Sequence, residues 1–224
     1  MIRVNVDGKE SKYEDGTTLY EIAKENRDNY KHDIILATCN GSLCELSKIL
    51  TENSKIHFIT TASHIGNECY RRSVTFLMLK AFYKVAGMKN VEKISVHHSV
   101  SKGYYCQAYG NVNVDEKFVE DVKTEMKRLC KRDILIMKET MSTAKAIKKF
   151  QKYGMKDKVH LLKYRRSSTV NVYRMEGFED YFYGYMAYST GILKYFDLIP
   201  YEEGFVLQMP VKENPENIPE FVPK

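Results

Sequence analysis

The chain has 224 residues, of which 43% are hydrophobic, and its formal net charge is +6. That length is enough to bury one large core or two small ones, and no apolar run approaches the length that spans a bilayer. The five cysteines are odd in number, widely spaced and without a Cys-x-x-Cys pair, which argues against a disulfide framework and a ribbon-type zinc site. With no signal-peptide pattern at its start, the sequence predicts a cytoplasmic protein with buried thiols.

Residues 1–60 have the pattern of a compact α+β unit. Apolar residues alternate over residues 2–6, and the Asp7-Gly8 pair that follows indicates a hairpin turn. Residues 18–21 form a capping box, in which a hydroxyl and a carboxylate three positions apart bind the first free amides of a helix. Two more apolar segments, at residues 34–37 and 55–59, are typical of strands. The order of hairpin, helix, hairpin and strand predicts a β-grasp fold.

Three stretches of this unit carry a family resemblance. They are the opening Val4-Asn5-Val6-Asp7-Gly8-Lys9, the helical Glu21-Ile22-Ala23 and the turn Cys39-Asn40-Gly41-Ser42-Leu43. In this order they resemble a TGS domain, which stands at the N-terminus of threonyl-tRNA synthetases and in some GTPases and stringent-response enzymes. The resemblance implies a ubiquitin-like β-grasp domain over residues 1–60.

Residues 61–210 are predicted to form a second, larger unit. Apolar residues at helical spacing, stopped by Gly87, predict a long helix over residues 68–86. The elements predicted next are strands over residues 93–98 and 104–109, a helix over 115–131, a strand over 133–138 and a short helix capped by Ser142. Residues 159–209 are rich in β-branched and aromatic side chains, which predicts antiparallel sheet. Residues 211–224 are rich in proline and glutamate and are predicted to be a linker.

Three stretches of the second unit resemble the editing domain that follows the TGS domain in threonyl-tRNA synthetases. They are Tyr70-Arg71-Arg72-Ser73-Val74-Thr75-Phe76-Leu77, Gly103-Tyr104-Tyr105, and Asp180-Tyr181-Phe182-Tyr183-Gly184 with the later Ser189-Thr190-Gly191. The third matches the family's Asp-Leu-Cys-Arg-Gly. Editing domains cut the ester between an amino acid and tRNA with a His-x-x-x-His pair on the helix and a Cys-x-x-x-His pair further on. The resemblance implies an α+β, editing-like fold with antiparallel sheet.

The positions that match these four catalytic residues hold other side chains in this sequence. Arg72 and Phe76 stand at the helix pair, and Phe182 and Met186 stand at the second pair. None of the four acts as a base near neutral pH, and none is a usual zinc ligand. The sequence therefore predicts no catalytic residue, no metal and no cofactor in this chain. The alternative is a rearranged site built from the nearby histidines, namely His64, His97 and His98.

Two further stretches, residues 96–106 and 175–186, resemble bacterial nucleoside kinases of the clostridial uridine kinase type. Such kinases carry TGS and editing-like domains before a P-loop kinase domain, which binds ATP and Mg²⁺. No G-x-x-x-x-G-K-[ST] motif occurs in these 224 residues. The resemblance implies a non-catalytic N-terminal region that is regulatory or binds a ligand or RNA, with a C-terminal kinase domain of the same polypeptide as its partner.

Two other functions remain open from the sequence. One is a free-standing aminoacyl-tRNA deacylase with altered active-site residues, which the missing histidine and cysteine positions disfavour. The other is a purely structural or dimerising module, which the basic clusters and the Ser101-Lys102-Gly103 loop disfavour.

The family fold brings the helix, the Ser-Lys-Gly loop and the Asp180 segment to one cavity. The resemblance therefore predicts a ligand site lined by Arg72, His98, Lys102, Tyr104, Tyr105, Phe182 and Met186. Cationic donors and aromatic walls suit a nucleotide-like or other anionic small molecule, such as an effector of the kinase. The alternative is that aromatic side chains, among them Phe76, Phe182 and Tyr185, fill the cleft that holds the active site in editing domains.

Basic residues also cluster on the helix predicted over residues 115–131 and again after residue 162. The predicted RNA-binding face consists of Lys123, Lys127, Arg128, Lys131, Arg132, Lys163, Arg165 and Arg166. Its expected partner is tRNA, which such cations bind through the phosphates. The alternative is that these residues are ordinary solvated helix faces. No membrane partner is expected.

Overall fold

The computed structural model describes residues 1–223, and its first unit is a five-stranded sheet. The strands are β1 (Ile2–Val6), β2 (Lys9–Tyr13), β3 (Ile34–Cys39), β4 (Ser42–Glu45) and β5 (Ser54–Thr60), in the order β2-β1-β5-β3-β4. β1 and β5 are parallel and the other pairs are antiparallel. Helix α1 (Leu19–Glu25) begins at the predicted capping box and buries Leu19, Ile22 and Ala23. The predicted β-grasp order is therefore confirmed.

The second unit is built around the long helix α2 (His64–Ala86). This helix begins four residues earlier than predicted, because the Ser63 side chain accepts a hydrogen bond from the Gly66 amide at 3.0 Å and caps it. Its residues are buried nearly all round from Cys69 to Tyr83. A helix buried on every side lies inside a protein rather than on its surface, and α2 packs against both the first unit and the strands of the second.

Two antiparallel sheets surround α2. One has the order β11-β12-β7-β6 and the other has the order β10-β9-β8. The strands are β6 (Val91–Val100), β7 (Gly103–Gly110), β8 (Met137–Ser142), β9 (Thr169–Met175), β10 (Phe178–Tyr181), β11 (Asp197–Tyr201) and β12 (Gly204–Gln208). The helices are α3 (Glu116–Lys131), α4 (Thr143–Lys152) and α5 (Lys156–Lys163). The expected α+β class with antiparallel sheet is thus confirmed.

Two predicted elements were wrong in place or type. The strand predicted over residues 133–138 begins only at Met137, because Asp133 has a positive φ of 47° and the next residues bond to the loop at Tyr188–Thr190. The sheet predicted from residue 159 onward starts as helix α5. There Met155, Val159 and Leu162 turn toward the core at intervals of four and three residues, so the apolar residues follow a helical period instead of alternating.

All five cysteines are buried and free, as the sequence predicted. Burial raises the pKa of the Cys106 and Cys130 thiols to about 12. These thiols are therefore protonated near neutral pH and behave as small apolar side chains.

The segment after Pro210 was expected to leave the domain as a linker, but it packs against the body of the protein. Gln208 Nε2 donates to the Ser101 carbonyl at 2.6 Å and to the Pro219 carbonyl at 3.2 Å. The Val222 amide donates to Ser101 Oγ at 2.8 Å. This extended segment therefore covers the Ser-Lys-Gly loop between β6 and β7.

Within residues 1–223, none of the helices has both the length and the apolar character that crossing a membrane requires.

Candidate functional site

The helix α2 and the segment around residues 182–186 face each other, as the resemblance implied. Phe76 is fully buried, and its ring centroid lies 5.3 Å from that of Phe182 and 5.7 Å from that of Phe178. Met186 is also buried, with its sulfur 3.6 Å from Ser73 Oγ. Three of the four positions that match the catalytic residues of editing domains, Phe76, Phe182 and Met186, are therefore filled by packed apolar side chains.

Arg72 lies at the edge of this packed centre and binds the backbone. Its Nη1 donates to the Tyr185 carbonyl at 2.8 Å. The guanidinium lies against Gly184, where a β-carbon would come within 2.7 Å of Arg72 Cζ and where φ is +110°. Only glycine fits this position. The Arg72 guanidinium is therefore hydrogen-bonded to the backbone of the protein.

Glu45, which the sequence analysis missed, reaches this centre from the first unit. Its side chain is 5% exposed, and its carboxylate accepts from Lys138 Nζ at 2.6 Å, from the Tyr173 hydroxyl at 2.6 Å and from the Met186 amide at 3.0 Å. Burial, followed by the charge of Glu45, raises the pKa of Tyr173. The only signal in the sequence was a carboxylate at the end of an otherwise apolar strand.

The other predicted ligand residues lie in two separate places. Tyr104 faces the helices, where the Arg71 guanidinium lies 4.5 Å from its ring centroid and donates to the Lys102 carbonyl at 2.9 Å. Tyr105 faces the opposite side of the sheet, with the ring centroids of His97 and His98 at 5.7 and 5.8 Å.

The prediction of one cavity lined by all seven residues is therefore wrong. Neighbouring residues on a strand point to opposite faces, so Tyr104 and Tyr105 cannot line the same pocket. Arg71, not Arg72, reaches the Ser-Lys-Gly loop, and it binds the backbone of Lys102. The exposed His98 lies on the outer face with Tyr105, away from the centre around Phe76.

On α3, three of the five predicted RNA-binding cations are already paired. Lys123 binds Asp197 at 2.6 Å, Arg132 binds Glu176, and Arg128 makes two bonds of 2.7 Å to Glu125. The bonds from Arg128, with Lys84 close by, lower the pKa of Glu125 to about 2. Lys127 and Lys131 are exposed. Most of the α3 charge is therefore neutralised by the protein.

The remaining three cations, Lys163, Arg165 and Arg166, lie at and just after the end of α5 and are exposed. Within the described chain, no carboxylate lies within 4.0 Å of their charged groups, whereas such pairs are common elsewhere on the surface. The guanidinium of Arg165 lies 5.6 Å from the ring centroid of Tyr181 and 5.1 Å from that of Tyr183. The cationic surface is thus narrower than predicted and is interleaved with tyrosines.

A buried ion pair joins α5 to β10. Asp180 is 1% exposed, and its Oδ1 lies 3.0 Å from Lys158 Nζ and accepts from the Tyr181 amide at 2.7 Å. Burial raises the pKa of the Asp180 carboxyl, while Lys158 acts in the opposite direction. Since a buried charge is tolerated only with a partner, this pair fixes α5 against β10.

Residues 1–223 contain no group of three or more histidine, cysteine, aspartate or glutamate side chains placed to hold a metal ion.

No profile of a known protein family matches the chain. Among curated proteins it is 30% identical over 196 residues to the threonine–tRNA ligase of Thermotoga neapolitana, which is 86% of this chain and 29% of that ligase. It is 27% identical over 188 residues to the ligase of Carboxydothermus hydrogenoformans, with 84% of this chain and 29% of that protein covered. The chain spans less than a third of the length of these relatives. It is homologous to the N-terminal region of threonyl-tRNA synthetases, which holds their TGS and editing domains.

Proposed function

We propose that this chain is a non-hydrolytic module that binds tRNA or a similar RNA. The absence of hydrolysis is supported by the packed centre, in which Phe76 and Met186 are buried at positions where editing domains hold catalytic side chains. Neither side chain transfers protons, and arginine stays protonated at any physiological pH. Ester hydrolysis needs a group that gives and takes a proton near neutral pH, so the residues of this centre support binding without cleavage.

RNA as the partner is supported by two observations. The relatives are named as ligases of threonine to tRNA, and they share the region that this chain spans. The cations after α5 lack carboxylate partners within the described residues, so their charge is free to meet phosphates.

The finer part of the proposal is that the module belongs to a cytoplasmic nucleoside kinase of the uridine kinase type. The resemblance of residues 96–106 and 175–186 to such kinases supports it. ATP and Mg²⁺ would then be held by a kinase domain outside these 224 residues. The native coding sequence beyond Lys224 tests this point: a G-x-x-x-x-G-K-[ST] motif there supports a kinase, and a synthetase catalytic domain there overturns it.

Binding of the chain to tRNA is expected to weaken steeply with salt. A protein that contacts phosphates releases counterions, so the logarithm of the association constant falls linearly with the logarithm of salt concentration. Replacing Lys163, Arg165 and Arg166 together by alanine should lower this slope by about 3, since each phosphate-binding cation contributes about one. Fluorescence anisotropy with labelled tRNA at several salt concentrations measures it.

The matched control replaces the three paired cations Lys123, Arg128 and Arg132 by alanine. These side chains already bind carboxylates, so their loss should change the slope by less than the loss of the α5 set. Negligible binding of the native chain at low and moderate salt alike would contradict the proposal and favour a structural role.

A further inference from the structure

The arginine that follows α5 lies over two tyrosines at the end of β10, and the residue before it in the chain is an exposed tyrosine. We call this group the tyrosine–arginine face and define it as Tyr164, Arg165, Tyr181 and Tyr183. Tyr164 is 76% exposed and Tyr183 is 77% exposed. Arg165 lies over the rings of both Tyr181 and Tyr183. Single exposed aromatic residues are ordinary on a surface, but the rings of Tyr181 and Tyr183 beside one guanidinium make a partly apolar patch with positive charge.

The parts of this face are held in place before any ligand arrives. The buried pair between Lys158 and Asp180 joins α5 to β10. His160 packs edge-on against Tyr164, with ring centroids 5.0 Å apart. Because the rings and the guanidinium are already ordered, a ligand that stacks on them pays little of the usual entropic cost of ordering side chains.

The surroundings of the face are cationic. Between Lys156 and Arg166 the sequence holds five lysines or arginines and one carboxylate, Asp157. A groove of about 380 Å³ runs beside α5 and is lined by Lys156, His160 and Lys163, among others. Phosphates of a bound strand would therefore find cationic donors beside α5.

The tyrosines are a feature of this chain and not of the motif that it resembles. Where the family has Asp-Leu-Cys-Arg-Gly, this sequence reads Asp180-Tyr181-Phe182-Tyr183-Gly184. A leucine and an arginine are thus replaced by two aromatic rings. Aromatic rings with interleaved cations are the chemistry that binds single-stranded nucleic acid, because every base offers a flat face for stacking.

We infer that the tyrosine–arginine face binds unpaired RNA bases by stacking, with Tyr183 and Tyr164 as the platforms and Lys163 and Arg166 as phosphate donors. This inference rests on the proposed function and names the part of the RNA that the module recognises. An acidic peptide would satisfy the cations but would leave the two exposed rings without a role, so RNA is the partner that fits the whole surface.

The test uses a single-stranded RNA of about eight nucleotides, within the usual site size of such surfaces, that carries the fluorescent base 2-aminopurine. Stacking quenches this base, so quenching reports stacking and not mere proximity. Tyr183→Ala should weaken binding of the single strand about 10-fold and remove most of the quenching. Tyr183→Phe keeps the ring and should retain both. Binding to a blunt RNA duplex should change little in either variant.

The matched control is Tyr109→Ala, which removes another exposed tyrosine beneath a cation, Lys93, at 5.0 Å. It should leave single-strand binding and quenching as in the native chain. If Tyr183→Ala and Tyr164→Ala also bind and quench like the native chain while tRNA binding stays salt-dependent, the face is not the platform and the proposed function stands. If the native chain binds no RNA at all, both are wrong.

Discussion

Replacing Glu45 by alanine is expected to lower the free energy of unfolding by about 3 kcal/mol. The carboxylate is the shared acceptor of Lys138, the Tyr173 hydroxyl and the Met186 amide. Removing one partner of a buried ion pair leaves the others without compensation. This value is at the lower end of the range that is usual for breaking a buried ion pair, since the Lys138 side chain is 32% exposed and can be solvated again. Urea unfolding of the native and variant chains measures the difference.

Glu139→Ala is the matched control. Glu139 lies on the same strand as Lys138, is half exposed, and pairs with the exposed Lys145 at 3.1 Å. Its loss should lower the stability much less than the loss of Glu45, because exposed ion pairs are screened by solvent. Equal unfolding midpoints for Glu45→Ala and the native chain would contradict the role of Glu45 as the buried link between the two units.

Replacing Phe76 by alanine is expected to lower the free energy of unfolding by about 4 kcal/mol, the usual cost of deleting a buried phenylalanine ring. Phe76 is fully buried between Phe178 and Phe182, so its removal leaves a cavity in packed core. If the cleft that holds the active site in editing domains were instead open here, the Phe76 ring would already border water. Its removal would then lower the free energy of unfolding only slightly. Thermal or urea unfolding distinguishes these cases.

Tyr183→Ala serves as the control for Phe76→Ala, because Tyr183 follows directly after Phe182 and is 77% exposed. Its ring contacts the exposed Arg165 guanidinium, and the loss of such a surface contact should cost about 1 kcal/mol or less. Similar costs for both variants would mean that the centre around Phe76 is not packed core.

The first unit could be predicted closely from local sequence patterns. Its hairpin and its capping box depend on residues that are near neighbours in the chain, such as Thr18 and Glu21. The parallel pairing of β1 with β5 instead joins distant residues, such as Val4 and Ser54, and follows from the β-grasp fold that the motifs indicated. Helix α5 was mistaken for sheet because a β-branched residue and two adjacent leucines fit both periods over so short a stretch. The inward-facing set Met155, Val159 and Leu162, spaced four and three residues apart, separates the two in the structure.

The candidate site was predictable only in part, for a physical reason. The packed centre lies where the family motifs indicated, because four positions in two motifs set it. Glu45, Lys138 and Tyr173 meet there from three distant strands, and no local pattern links them. Likewise, whether Arg71 or Arg72 faces the Ser-Lys-Gly loop depends on the rotation of α2, which the sequence alone does not fix. Which of the predicted RNA-binding cations are paired with carboxylates also depends on the tertiary structure, because the partners Asp197 and Glu176 are distant in the chain.

We expect this module to bind tRNA without cleaving an aminoacyl ester. The most direct measurement is the half-life of seryl-tRNA, followed at neutral pH with the chain in excess over its dissociation constant for that tRNA. The predicted result is salt-dependent binding together with an ester half-life that equals that of free seryl-tRNA. Faster loss of the ester in the presence of the chain, abolished by His98→Ala, would contradict the claim and indicate a rearranged deacylase.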